Sequence, residues 1–353
     1  MTFISFCTAS STIRDVSNDA KLQKVILGPD WIDLSFGEPK VVMNALFRQL
    51  NRFGDPFKMP TLFDLPKWEY QPAAGKPDLV KILEEKYDER VVICNGAKQA
   101  LAAAMFALKR RGCNNIYFEK PYYPANPSIA ENARLAWSPT VEASDSLLIT
   151  SPNNPDGKNY SNVDLIGWRY KGPMIHDAAY YTDIYLPHEQ MVLPHGDIQI
   201  HSMSKMYGLS GLRIGYAVCH NDKYYQDMVD FMEETTAGVS TASQDIARNI
   251  EAFFIDNPEY YKEFAQEART AITIARKELE RLDPDVLRLV PCQSNSMFGW
   301  FETGPALNNK AAKVHILPGE LFGQPGMMRM NIAHPPEVIR EAVDRLNEHK
   351  IRS

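Results

Sequence analysis

His201-Ser-Met-Ser-Lys205-Met-Tyr-Gly208-Leu-Ser-Gly211-Leu-Arg213-Ile-Gly215 is the stretch on which the reading of this chain turns. The apolar run 198–201 leads into it and reads as a strand. Two serines, Ser202 and Ser204, then precede Lys205, and Arg213 follows eight residues later in a glycine-rich loop. At a strand's end the two hydroxyls and the guanidinium can converge on one phosphate, and the amine can attack a carbonyl held beside it. An isolated Ser-x-Ser-Lys is more often a solvated turn with a surface lysine. Here the apolar strand before it and Gly-Leu-Ser-Gly-Leu-Arg-Ile-Gly after it favour the ligand reading.

Three further motifs lie upstream. Met174-Ile-His-Asp177-Ala-Ala-Tyr180 puts an acid at the end of a buried strand. A carboxylate there is costly unless a cation or donors meet it, although Asp also commonly caps a helix. Ser151-Pro-Asn-Asn154-Pro155-Asp-Gly157 is a turn presenting an amide at a strand terminus. Asn95-Gly96-Ala97-Lys98 opens a helix, and its small residues let an anion reach backbone N–H groups at the positive end of the helix dipole.

Around these motifs the chain alternates short apolar runs with helical patterns. Strands are expected at 91–94, 115–118, 146–150, 174–176, 198–201 and 215–219, with a helix at 99–111. Their nearly continuous apolar character is that of a mostly parallel sheet covered on both faces, an α/β architecture. Residues 251–282 read as one helix or two linked ones. Strand-like pieces at 297–302 and 327–332 and a final helix at 336–349 read as a smaller α+β domain, with which the segment before Gly37 is expected to pack. The expected division is a large domain over 42–265 and a small one from 1–41 and 266–353.

Composition narrows the function classes. The 353 residues carry a formal net charge of −6, which argues against a nucleic-acid binder. Five scattered cysteines without a C-x-x-C pair suit reduced thiols and a cytoplasmic setting. The eight histidines show no metal-ligand spacing, so no metal is expected. Residues 1–12 lack the basic start and apolar run of a signal peptide, and no stretch of about 18 apolar residues suggests a membrane span.

In order and spacing, these motifs resemble the fold-type I pyridoxal-phosphate enzymes, specifically the aminotransferase class I/II family (the aspartate aminotransferase-like group). Ser35-Phe-Gly37-Glu-Pro39, Tyr70-Gln-Pro-Ala-Ala-Gly75, Pro121-Tyr-Tyr123, Pro318-Gly-Glu-Leu-Phe322 and Arg329-Met-Asn331 belong to the same series. The resemblance implies a seven-stranded, mostly parallel sheet flanked by helices in the large domain. It implies pyridoxal 5′-phosphate bound to Lys205 as a Schiff base, with Lys205 later moving the substrate Cα proton. Asp177 would pair with the pyridinium nitrogen, and Tyr180 and Asn154 with the phenolic oxygen. Tyr123 would stack on the ring, although Tyr122 is adjacent and either could face it. Gly96, the Ala97 and Lys98 N–H groups, Ser202, Ser204 and Arg213 would hold the phosphate. Gly37 would line the substrate mouth and Arg329 grip the substrate carboxylate as a bidentate fork. Tyr70 resembles a tyrosine that reaches the phosphate from a neighbouring subunit, which implies a homodimer; a local core position is the other reading.

The implied activity is transfer of an amino group between an amino acid and a 2-oxo acid by a ping-pong course. Decarboxylation, elimination or oxidation of an amino acid on the same cofactor is the alternative. A cofactor-sensing module of a transcription regulator is disfavoured, because the 31 residues before Ile32 are too few for a winged helix. Departures from the family fall where a substrate side chain would be read. The segment after Pro39 is short, and 51–67 is rich in proline and phenylalanine. Residues 294–300 replace a double-glycine turn. Aromatics at Phe53, Phe57, Phe63 and Trp68 suit either an apolar substrate or a core.

Overall fold

The computed structural model describes residues 30–52, 69–161, 164, 172–191 and 196–351. The aromatic positions Phe53, Phe57, Phe63 and Trp68 lie outside them. A central ladder runs in the order β2 (Arg90–Cys94), β8 (Gly215–Cys219), β7 (Ile198–Ser202), β6 (Met174–Asp177), β5 (Leu147–Thr150). A parallel bridge from Tyr117 to Leu147 adds the pair β3 (Asn115–Ile116) and β4 (Ala136–Trp137), giving the seven strands expected. The pairs β5–β6 and β6–β7 are parallel, whereas β8 is antiparallel to both β7 and β2. Apolar runs suggested strands at these places, but strand direction is a property of pairing and left no local mark.

Both sheet faces are covered, which accounts for the unbroken apolar runs. Val91, Ile93, Tyr216 and Val218 point into one core, while Val92, Cys94, Ala217, Cys219, Ile198 and Ile200 point into another. That second core is closed by α3 (Ala97–Arg110), whose buried stripe includes Ala100, Leu101, Ala104, Ala107 and Leu108. Small alanines favour the helix and let it lie close to the sheet. Lys109 and Arg110 complement the dipole in its last turn.

The first core extends to a second sheet, the antiparallel order β12 (Leu317–Pro318), β13 (Met327–Asn331), β10 (Phe298–Thr303), β9 (Leu287–Leu289). The lead before Gly37 packs there. β1 (Ile32–Asp33) pairs in parallel with β11 (Val314–His315), and the Asn331 N–H donates to the Leu34 carbonyl at 2.8 Å. The helical stretch near 251–282 resolves into α7 (Thr241–Asp256) and α8 (Pro258–Glu278), broken where Pro258 starts the second helix. α8 packs on both α1 (Lys40–Asn51) and the terminal helix α9 (Pro336–Glu348). The four described cysteines form no disulfide. No helix among the described residues is long and apolar enough to cross a membrane.

Candidate active site

The strand registers gather the sequence motifs at one edge of the central sheet. Thr150 lies opposite Asp177, Asp177 opposite Ile200, and Gly215 opposite both Ser202 and Cys94. This is the carboxyl edge of the parallel strands, where open α/β sheets expose their ligand-bearing loops.

Gly96, the start of α3 and Arg213 come together where β2 and β8 pair. Gly96 caps α3 with φ 82°, and a Cβ there would come within 2.4 Å of Arg213 Nη2. A side chain there would have to push the guanidinium aside. The Arg213 side chain donates to the carbonyls of Ser210 (3.0 Å) and Asn95 (3.3 Å) and forms no ion pair among the described residues. Ala97 and Lys98 occupy the first turn of α3, where backbone N–H groups have no acceptor within the helix. Ser202 ends β7 and Ser204 lies in the short helix 203–206, both buried.

Lys205 occupies that same short helix and is partly buried. Its Nζ donates to the Gly37 carbonyl, and its own carbonyl accepts from the Tyr185 hydroxyl at 2.8 Å. Burial, with the nearby Arg329 charge, pushes its ammonium down from an ordinary 10.5 to about 8. Asp177 is 4% exposed. It accepts from the Ala179 N–H at 3.2 Å and from Thr150 at a long 3.4 Å, and no described cation pairs with it. Burial pushes its carboxyl up to about 6.

Arg329 on β13 is 1% exposed and has no carboxylate partner among the described residues. Its fork spends its bonds on two neutral oxygens, Asn154 Oδ1 (3.0 Å) and the Ser35 carbonyl (2.5 Å), and its Nε has no acceptor. The rings of Phe298 and Phe322 lie 4.3 and 5.0 Å from the guanidinium. Burial pushes its pKa down to about 10. Asn154 also bonds the buried Tyr180 hydroxyl, whose pKa burial raises. Tyr180 packs edge-on against Phe298, and Phe298 is 3.5 Å from where a Gly37 Cβ would sit.

The adjacent tyrosines separate clearly. Tyr122 packs edge-on against Phe118 and lies against Gly323. Tyr123 is near enough to Tyr180 and Arg329 to perturb both, with Lys98 Nζ 5.9 Å from its ring. Asn153 holds the loop in place by donating to the Pro121 carbonyl at 2.9 Å. Tyr70 is 91% exposed, so within one chain it is no core residue. Side chains not singled out from sequence include Thr150, Tyr185 and Phe298. Asn331 was noted only within its motif; its amide donates to the Phe36 and Glu38 carbonyls (2.6 and 2.9 Å) and so shapes the loop presenting Gly37.

Comparison with known proteins agrees with this architecture. The family described as aminotransferase class I and II matches residues 29–346. Aspartate aminotransferase of Thermotoga maritima is 25% identical, over 94% of each chain. Tryptophan aminotransferase-related protein 2 of Arabidopsis thaliana is 31% identical over 44% of this chain, a match spanning 37% of the plant protein's length. Among solved structures, aspartate aminotransferase from Thermus thermophilus with maleate superposes with a TM-score of 0.74. It is 21% identical and the match covers 99% of this chain and 100% of that one. The family is in general pyridoxal-phosphate-dependent, and its aminotransferases act on amino and oxo acids. The chain belongs to the aminotransferase class I and II family.

Proposed function

We propose that this chain transfers an amino group between an amino acid and a 2-oxo acid, with pyridoxal 5′-phosphate bound at Lys205. One observation carries the reading. Four ionisable groups gather near this sheet edge, and the partners that three of them lack among the described residues correspond to parts of cofactor or substrate. Arg213 and the α3 N-terminus lack an anion, Asp177 a cation, and Arg329 a carboxylate, while the Lys205 amine stands beside them. Asp177 and Arg329 are buried, where a charge without a counter-charge is costly, while Arg213 is exposed at the rim; such a set is expected where a ligand completes it.

When bound, pyridoxal phosphate supplies a carbonyl for an amine and a ring that withdraws electrons from the substrate Cα. The chain's residues do the rest. Gly96, Ala97, Lys98, Ser202, Ser204 and Arg213 hold the phosphate. Asp177 holds the proton on the ring nitrogen, and the cation there would in turn keep its carboxylate ionised. Asn154 and Tyr180 donate to the phenolic oxygen, and Tyr123 covers the ring face. Lys205, with its amine near 8, is available as free base close to neutrality and moves the proton at the substrate Cα. Arg329 orients the α-carboxylate and Gly37 leaves space at the mouth.

The exposed Tyr70 supports a homodimer in which it crosses to the neighbouring phosphate site. The large lobe at 42–265 and the small one at 1–41 with 266–353 would meet within α8. The unpaired cysteines suit a cytoplasmic setting. The test is spectroscopic: an amino donor alone should discharge the cofactor's visible band, and a 2-oxo acid should restore it. A band that never responds to donor followed by acceptor would sink the transaminase reading.

A further inference from the structure

Tyr185 is fully buried and meets two groups of the candidate site directly. Its hydroxyl donates to the Lys205 carbonyl at 2.8 Å. Its ring packs edge-on against Tyr180, with centroids 5.6 Å apart and planes at 78°. Phe298 meets the same tyrosine edge-on at 5.7 Å, so Tyr180 is in contact with two rings. A tight return after Asp177 brings Tyr185 to this place. The Thr182 N–H donates to the Tyr180 carbonyl at 2.9 Å, and the Tyr185 N–H to the Thr182 carbonyl at 3.0 Å. Asn295 secures the return from outside. Its N–H donates to the Tyr185 carbonyl at 2.8 Å and its amide to the Ile184 carbonyl at 3.2 Å.

The main chain of Lys205 needs such an anchor. Its helix spans only Met203–Met206, and the last carbonyls of a helix find no N–H within it. One turn closes, with the Tyr207 N–H donating to the Met203 carbonyl at 3.0 Å. The Lys205 carbonyl lies beyond that turn, and a carbonyl withdrawn from water without a donor is costly. Tyr185 supplies the donor. Burial raises its phenol well above the ordinary 10, so the hydroxyl keeps its proton near neutrality. The lysine amine hangs on a flexible four-carbon stem, so it is aimed only as well as its backbone is fixed.

We propose that Tyr185 is a positioning residue for proton transfer at the substrate Cα. Its hydroxyl fixes the backbone from which the Lys205 amine works, and its ring fixes Tyr180, the donor to the cofactor's phenolic oxygen. The inference rests on the transamination reading and adds a residue to it. Tyr185 acts through Lys205 and Tyr180 and exchanges no proton with the substrate. Its removal therefore slows the proton step more than it weakens binding, because the groups that would hold carboxylate and phosphate stand on β13, α3 and the loop of Arg213. Misplacing a reacting group by about 1 Å costs on the order of 100-fold in rate, so a partial loosening is readily measured.

Tyr185→Phe keeps the ring and deletes the hydroxyl, while replacing Tyr185 with 4-aminophenylalanine returns a weaker donor to the same place. In the cofactor-loaded full chain, Tyr185→Phe should lower kcat by about 10-fold to 30-fold and leave donor KM within about twofold. The primary isotope effect with a Cα-deuterated donor should rise, because the proton step then limits turnover more strongly. The 4-aminophenylalanine chain should recover most of the rate, with an isotope effect between the other two. Without turnover, ligand-free Tyr185→Phe should capture pyridoxal phosphate on Lys205 roughly 5-fold to 10-fold more slowly, read from the growth of the visible band. A kcat within about twofold of the unaltered chain overturns the proposal. So does a loss of kcat, KM and melting temperature together with an unchanged isotope effect, which is the mark of a packing residue. Should Tyr185→Phe not fold, the 4-aminophenylalanine chain decides, and an isotope effect equal to the unaltered chain's overturns the proposal. If Tyr185→Phe slows cofactor capture but no donor discharges the band in any chain, the Lys205 anchor stands and the transamination reading alone fails.

Discussion

Glu251 and Asp177 are both buried carboxylates near the lysine-bearing turn, and they are satisfied in opposite ways. Glu251, 1% exposed, receives the Tyr207 hydroxyl at 3.0 Å and the Lys86 ammonium at 2.9 Å. Tyr87 and Tyr216 share a hydroxyl contact of 2.9 Å alongside, and His201 stacks on Tyr216. Asp177, 4% exposed, receives one backbone N–H and a long hydroxyl contact, with no paired cation among the described residues. The Glu251 cluster is completed by the chain itself, so its energy goes into holding α7, the helix at 77–87 and Tyr207 together. The Asp177 cluster has no such counter-charge among the described residues, and on the proposed reading the cofactor would complete it. On the proposed reading, buried charge marks structure in one place and function in the other, and the difference lies in which partners the chain itself supplies.

The strongest way to break this comparison is at the open cluster. Lys205→Ala should abolish covalent cofactor attachment and lower turnover by on the order of 10³-fold or more, while leaving the fold intact by circular dichroism. Normal turnover would refute the assignment. Next comes the closed cluster, where Glu251→Ala should cost roughly 2–4 kcal/mol of stability in denaturant unfolding. Lys86 is about a third exposed and can turn to water, which discounts the ionic part. Asp177→Asn should leave ligand-free stability nearly unchanged but weaken cofactor retention; equal stability losses at both sites would erase the distinction.

A smaller effect is expected at Arg329. Arg329→Lys keeps the charge but loses the fork, and should lower kcat/KM for the amino donor by about 30-fold to 100-fold. The ligand-free melting temperature should fall only modestly, because the fork's two hydrogen bonds go to neutral oxygens and no ion pair is lost. The smallest and most specific effect concerns pH. Burial lowers the Lys205 pKa, so the neutral amine is gained at lower pH than in an ordinary lysine. Aldehyde capture by the ligand-free protein should rise with pH and level off above about 8, rather than climbing towards 10.5. A profile with no plateau below pH 10 would contradict that environment.

The legible part of this fold followed from local pattern. Strands buried on both faces read as unbroken apolar runs, and turn residues after β2, β5, β6 and β7 marked the loops that gather at one sheet edge. The illegible part is non-local. The antiparallel direction of β8 exists only in its register with β2 and β7. The Glu251 cluster joins positions 86, 207 and 251, which share no sequence motif. Sequence register favours Tyr123 over its neighbour for the ring-facing place, but where Tyr122 goes instead, edge-on against Phe118, depends on tertiary packing. The Phe298 ring under Arg329 looked like any strand residue.

The central claim is that the open cluster around Lys205 is completed by a phosphorylated pyridine aldehyde. The most direct test is to reconstitute the protein with pyridoxal phosphate, reduce it with borohydride and map the modified peptide by mass spectrometry. The account predicts a single phosphopyridoxyl group on Lys205, absent when Lys205→Ala is treated the same way. Labelling spread over surface lysines, or unchanged in Lys205→Ala, would contradict it.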